Sequence, residues 1–171
     1  DQVIVTTDDG SYGRKGMVLN AISGVEVALW DILGKSCGMP VYKLLGGACW
    51  ERIRAYASLP PYERPQDAAA DAAAMAGEGY HLVKLHQTDI DSVAQTRRAI
   101  GPSVDLAVDV NGCWTPREAV AMARRMEEHG VRWLEEPVRP MDDYDGLRFV
   151  REHSNIPIAA GLILMMYPPF A

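Results

Sequence analysis

Cysteine is scarce in this chain, and no apolar run is long. Cys37, Cys49 and Cys113 are odd in number and widely spaced. They supply neither a disulfide frame nor a zinc site, and they suit reduced thiols in a cytoplasmic protein. Basic clusters are missing too: 17 Lys and Arg stand against 23 Asp and Glu, a net charge of −6, with no sizeable basic run. The expected partners therefore exclude nucleic acid and an anionic membrane surface. The apolar tail Ile163-Leu164-Met165-Met166 is far too short to span a bilayer. The amino terminus, Asp1-Gln2 and a five-residue run, carries no signal-peptide pattern. A length of 171 residues suits one ordinary domain. It falls short of a complete eight-fold β/α barrel, which takes roughly 250 residues. The composition, 48% hydrophobic and 23% charged, is that of a soluble globular protein.

What is present is a rhythm. Lys84-Leu85-His86 closes the apolar run His81-Leu82-Val83, Asp109-Val110-Asn111 closes Leu106-Ala107-Val108, and Glu135-Glu136-Pro137 closes Val131-Arg132-Trp133-Leu134. Lys84 and Asp109 are 25 residues apart, and Asp109 and Glu135 are 26 apart. That period is one strand, loop, helix and loop. Polar residues at the carboxyl ends of successive parallel strands are how a β/α barrel builds an active site. Two carboxylates beside a Lys/His pair suit a hard divalent cation and a proton-transfer base.

The rest of the chain fits that rhythm from Arg52 onward. Before it, residues 2–7 read as a strand, Asp8-Asp9-Gly10 as a turn, and 20–35 as a helix. Ile22, Val25, Leu29, Ile32 and Leu33 fall on one face of that helix. A short helical turn is expected over 41–45, before Gly46-Gly47. Then strands and helices alternate, which argues for a parallel sheet. The expected order is a strand at 53–57, a helix at 65–76, the Lys84 strand and a helix at 89–100 with Thr88 and Asp91 as its capping box. The Asp109 strand follows, then a helix from Thr115-Pro116-Arg117-Glu118 to His129, the Glu135 strand, a helix at 144–153 and a strand at 156–160.

Side chains alternate faces along a strand. Lys84 with His86, Asp109 with Asn111, and Trp133 with Glu135 therefore share faces, which point into the barrel mouth. Val83, Leu85, Leu106, Val108 and Leu134 take the layer under the helices. Glu136 points outward or hydrogen-bonds behind the site. Competing readings are plainer. A strand-end acid can be a helix cap or surface ion pair, and a strand-end His a structural residue. His81, His129 and His153 read as solvated or capping, Trp30 and Asp31 as packing and helix-end contacts, and Glu127-Glu128 as a solvated face.

In these motifs the chain resembles the enolase superfamily, in its mandelate racemase/muconate lactonizing enzyme branch. The resemblance runs from about Asn20 to Gly161. It rests on residues 21–35 (Ala-Ile-Ser-Gly-Val-Glu-Val-Ala-Leu-Trp-Asp-Ile-Leu-Gly-Lys), on Leu44-Leu45-Gly46-Gly47, and on the Lys-x-His, Asp-x-Asn and Glu-Glu-Pro motifs in that order. It implies a partial (β/α) barrel from 51 to 171, preceded over 1–50 by a shortened α+β capping region. It implies Mg²⁺ held by carboxylates, with Asp109 and Glu135 as two of three ligands. It implies abstraction of the proton α to a small carboxylate substrate, a hydroxy acid or sugar acid. Lys84 and His86 take the catalytic Lys-x-Lys positions, His86 as base and Lys84 as a positive charge, while Asn111 and Glu136 support metal and substrate.

Three departures accompany the resemblance. The third acid is expected just after Gly161, where Leu162 stands; the later strands are absent; and the capping region is short. The expectation is an acid-sugar dehydratase-like lyase in a truncated, inactive form with weak Mg²⁺ binding and a tendency to self-association. The alternatives are a racemase, epimerase or cycloisomerase of the same family, or a non-catalytic fragment.

Overall fold

Sheet edges and helix caps are where this sequence declares its structure. The computed structural model describes residues 6–7, 14–15 and 18–161, with side chains from 24 to 161. The turn at 8–10, most of the strand expected over 2–7, and Leu162 lie outside the described residues. The chain divides into two compact units, the first ending at Ile53 and the second beginning at Arg54.

In the first unit β1 (Thr6–Thr7) pairs in parallel with β2 (Arg14–Lys15), and α1 (Val18–Cys37) is followed by the single turn α2 (Val41–Leu44). The junction between α1 and α2 is tight at Gly34, where a Cβ would stand 2.8 Å from the Met39 carbonyl oxygen. The apolar face of α1 is largely open to solvent. Val25, Leu29, Ile32 and Leu33 remain 45–62% exposed, so the described residues cover little of it. Among the described residues no helix is long and apolar enough to cross a membrane.

The second unit is a five-stranded parallel sheet with helices between its strands, in the order β3 (Ala57–Ser58), β4 (Leu82–Leu85), β5 (Asp105–Asp109), β6 (Val131–Glu135) and β7 (Ile158–Ala159). Sequence order equals spatial order, as in a winding barrel wall. The connecting helices are α3 (Pro65–Gly77), α4 (Ile90–Ile100), α5 (Pro116–Glu127) and α6 (Tyr144–His153). The strand expected over 53–57 shrinks to Ala57–Ser58. It pairs only with β4, and Ile53 is 87% exposed, so nothing among the described residues pins the earlier part. The strand expected over 156–160 likewise shortens to two residues.

Helix starts follow side-chain chemistry. Thr115 and Glu118 form the expected capping box of α5, with Pro116 in the first turn. The cap of α4 is Asp89, not Thr88: its carboxylate accepts from the Ser92 amide at 2.7 Å and hydroxyl at 2.8 Å, which Thr88 cannot match with one oxygen. Asp143 caps α6 through the Gly146 amide at 2.8 Å.

Strand alternation buries Val83, Leu85, Leu106, Val108 and Leu134 completely. Val131 is buried as well, although it lies three residues from Leu134. A register shift explains this: Leu106 pairs with Val131 but Val108 with Leu134, so β6 carries one extra residue. The bulge resets parity and places Trp133 and Glu135 on the face opposite Leu134.

Arg97 closes the amino-terminal end of the sheet, a role not visible in the sequence pattern. Its guanidinium donates to the carbonyls of His129 (2.8 Å), Gly101 (2.8 Å), Val104 (2.7 Å) and Gly130 (3.1 Å), joining the end of α4, the approach to β5 and the α5–β6 turn. Burial pulls its pKa below the ordinary arginine value, with Asp105 opposing. Glu127, expected as a solvated face, is a tether, accepting from the Asn155 amide at 2.8 Å and side chain at 3.0 Å. Replacing Arg97 by Met is expected to cost about 2–3 kcal/mol in urea unfolding, because four carbonyls lose a charged donor. Arg97→Lys should not restore it, since an ammonium lacks the planar fork. A loss under about 0.5 kcal/mol would show that water serves these carbonyls equally well.

Candidate active site

The carboxyl ends of β4, β5 and β6 bring Lys84, His86, Asp109 and Glu135 together. Lys84 is the junction. Its Nζ donates to Asp109 Oδ2 at 3.0 Å and to Glu135 Oε1 at 3.1 Å, so one ammonium spans the gap between the two acids. Lys84 and Asp109 are 7% and 5% exposed. Burial works against the Lys84 charge, but the hydrogen bonds and attraction from Asp109 and Glu135 outweigh it and hold its pKa above the ordinary lysine value. The Tyr56 ring lies beneath, with its centroid 5.8 Å from Nζ.

Every carboxylate oxygen here has a partner. Asp109 Oδ1 accepts from the Asn111 amide at 3.1 Å, and Oδ2 also meets His86 Nε2 at 3.2 Å. Glu135 Oε2 accepts from the Trp133 indole N–H at 3.0 Å. Trp133 in turn stands edge-on to Tyr56, with centroids 5.9 Å apart. His86 Nδ1 is 2.5 Å from the Leu59 carbonyl oxygen. A carbonyl only accepts, so Nδ1 carries the hydrogen.

Asn111 departs from strand parity, whereas Glu136 keeps to a hydrogen-bonding place off the barrel mouth. Asn111 has φ +47° and an exposed side chain; it reaches Asp109 through its backbone N–H and not from a shared strand face. The chain has already left the extended conformation, so alternation ends at Asp109. Glu136, at φ +48°, is buried behind the site, where its Oε1 accepts from the Gly161 amide at 2.6 Å. Sequence reasoning missed the Leu59 carbonyl and Tyr56. The Trp133 contact was foreshadowed by its position two residues before Glu135.

The donor set is oxygen-only chemistry that fits a hard divalent cation in kind, since Mg²⁺ is often held by one or two carboxylates and several waters. Among the described residues no group of three or more His, Cys, Asp or Glu is arranged to hold a metal ion. The position expected for a third acid lies outside them.

Comparison with known proteins decides the family. Residues 67–165, more than half of the chain, match the family described as enolase C-terminal domain-like, and residues 4–46 match the mandelate racemase/muconate lactonizing enzyme N-terminal domain. The chain belongs to the mandelate racemase/muconate lactonizing enzyme family of the enolase superfamily. It is 37% identical over 158 residues to D-galactarolactone cycloisomerase of Agrobacterium fabrum, covering 87% of this chain and 42% of the relative. It is 36% identical over 157 residues to arabinonate dehydratase of Saccharolobus solfataricus, covering 86% and 42%. The crystal structure of the 3,6-anhydro-D-galactonate cycloisomerase from Zobellia galactanivorans superposes with a TM-score of 0.79 at 37% identity, over 88% of this chain and 43% of that one. This member of the enolase superfamily thus spans less than half the length of the curated relatives it matches. The expected fold class, part of an enolase-type barrel, is borne out.

Trp133→Phe keeps the ring against Tyr56 and removes the N–H that holds Glu135. The expected loss is about 1 kcal/mol in urea unfolding, at the low end for a hydrogen bond to a charged group because Glu135 is partly exposed. An unchanged midpoint would mean that water takes over this lone pair.

Proposed function

We propose that the chain carries part of the active site of a Mg²⁺-dependent enzyme that removes the proton α to a carboxylate, with an acid sugar as substrate and dehydration as the reaction. The observation that carries this reading is the meeting of Lys84, His86, Asp109 and Glu135 at three consecutive strand ends. Asp109 and Glu135 would hold the cation. When bound, it supplies a positive charge that draws electrons toward the substrate carboxylate and acidifies the α C–H bond.

His86 fits the base. Its Nδ1 hydrogen is committed to Leu59, and Nε2, which meets Asp109 Oδ2 at 3.2 Å, would take the substrate proton once it is deprotonated and turned from that carboxylate to the substrate. Lys84 supplies positive charge beside the carboxylate whose electron density rises. Loss of the α hydrogen to His86 and of the β-hydroxyl, which takes up a proton from a general acid supplied by the rest of the barrel and leaves as water, gives an enol that tautomerises to a 2-keto-3-deoxy acid. Asn111 and Glu136 support the site from behind, through the Asp109 and Gly161 contacts.

Similarity to arabinonate dehydratase favours dehydration. Similarity to two cycloisomerases, both 37% identical, favours a second reading in which the same base isomerises a lactone or anhydro sugar acid. A cytoplasmic setting is consistent with Cys37, Cys49 and Cys113 all being free thiols. Burial pushes the Cys113 thiol upward in pKa, which keeps it protonated and unreactive.

A polypeptide of these 171 residues alone is expected to bind Mg²⁺ weakly in calorimetric titration and to turn over no sugar acid, because Leu162 offers no side-chain oxygen. Joined after Gly161 to the remaining barrel of the arabinonate dehydratase, the same residues are expected to form a product lighter by one water, detectable as a 2-keto acid. His86→Ala should reduce that rate by more than about a hundredfold. A product of unchanged mass would favour cycloisomerisation. No turnover by the joined protein would sink the enzyme reading, and turnover by the short chain would sink the expectation of inactivity.

We also propose self-association. β3 and β7 each pair on one side only within the described sheet, and apolar side chains of α1 are exposed. Sedimentation should find dimers or larger species at micromolar concentration; a monodisperse monomer would contradict this.

A further inference from the structure

We propose that Lys84 is a built-in counter-cation, holding Asp109 and Glu135 together until a divalent cation takes its place. The inference rests on the reading of these acids as metal ligands. It goes beyond that reading in assigning Lys84 the role of a competitor for the cation's seat.

Four carboxylate oxygens face this site. Asp109 Oδ1 is held by a backbone amide, and Glu135 Oε2 by an indole on a braced ring. These partners are fixed. Asp109 Oδ2 and Glu135 Oε1 converge on the Lys84 ammonium, at 3.0 and 3.1 Å. Mg²⁺ would have to bind these two oxygens, since they are the pair that already meets around a positive centre. An ammonium and a metal ion cannot share that centre, because two like charges at such a distance repel strongly in a partly dry site.

Only one of the partners can yield readily. Lys84 carries its charge on a flexible four-carbon stem, whereas His86 is fixed at Nδ1 by Leu59. The Tyr56 ring, 5.8 Å from Nζ, offers the displaced ammonium a seat over a π face. Exchange would therefore move Lys84 from between the acids toward the strand β3 side of the mouth. There it would be free to meet the carboxylate of a substrate. Without a cation the same lysine prevents two neighbouring acids from facing each other unpaired.

The test compares the unmodified chain with Lys84→Met and Lys84→Arg, using Mg²⁺ in calorimetry and Mn²⁺ in magnetic resonance. Lys84→Met is expected to bind both ions roughly tenfold more tightly, because the resident charge is gone. Its melting temperature should rise with added Mg²⁺ more than that of the unmodified chain. Lys84→Arg should bind no more tightly than the unmodified chain. Equal or weaker binding by Lys84→Met would overturn the counter-cation role while leaving the metal reading intact. No binding by any of the three would overturn both.

A second measurement needs no variant. Reductive methylation of the unmodified chain, followed by mass spectrometry, should label Lys84 more slowly than the exposed Lys35. The Lys84 rate should rise at least severalfold as Mg²⁺ or Mn²⁺ saturates the site. A bound cation with Lys84 labelling unchanged would overturn the exchange.

Discussion

One ammonium group joins three strands. Lys84 on β4 reaches Asp109 on β5 and Glu135 on β6, and without it these buried and half-buried acids would lose the cation they share. Desolvating such groups costs several kcal/mol apiece unless geometry and hydrogen bonds return it. Here both conditions are met by short contacts and by a partner for each remaining lone pair. The polar row at the sheet's carboxyl edge is therefore an electrostatic unit, and its spacing depends on the register that pairs Asp109 with Glu135. The bulge in β6 sets that register. Without it, burial of both Val131 and Leu134 would be incompatible with Glu135 facing the lysine.

The opposite edge of the sheet is built on another principle. There Arg97 collects carbonyl oxygens, and Glu127 takes the amides of Asn155. Most of these contacts join backbone to side chain, and they use no cluster of like charges. The charged cluster and the anchoring contacts are thus segregated to the two ends of the strands, the division between active-site and stability faces that β/α barrels use generally. A substitution at one end need not disturb the other.

Much of this was legible in the sequence. The strand-end motifs recur with the period of a β/α unit. The capping box at Thr115 and Glu118 fixed a helix start, and parity placed Val83, Leu85, Leu106 and Val108 in the core. Parity failed where the chain ceased to be extended, at Asn111, and it could not foresee the extra residue in β6. The Asp89 cap outcompeted Thr88 because a carboxylate offers two oxygens. Arg97 and the Leu59 carbonyl were invisible for a simpler reason. Each contact has a backbone carbonyl on one side, which every residue possesses, so no pattern of side chains marks it.

Asn111 and Glu136 both adopt left-handed backbone, at φ +47° and +48°, on loops that leave adjacent strands. Such a conformation costs of order 1–3 kcal/mol for a residue with a side chain, and it persists only where the surroundings enforce it. The enforcement is mutual: the Gly112 amide donates to the Glu136 carbonyl at 2.7 Å, and Gly112 has no room for a Cβ beside Met141. The two turns are geared to each other. A shift in the backbone of one turn would therefore have to be met by a shift in the other. At this end of the sheet the two loops thus behave as one hinge-less bracket, and a change of shape there is a property of the pair.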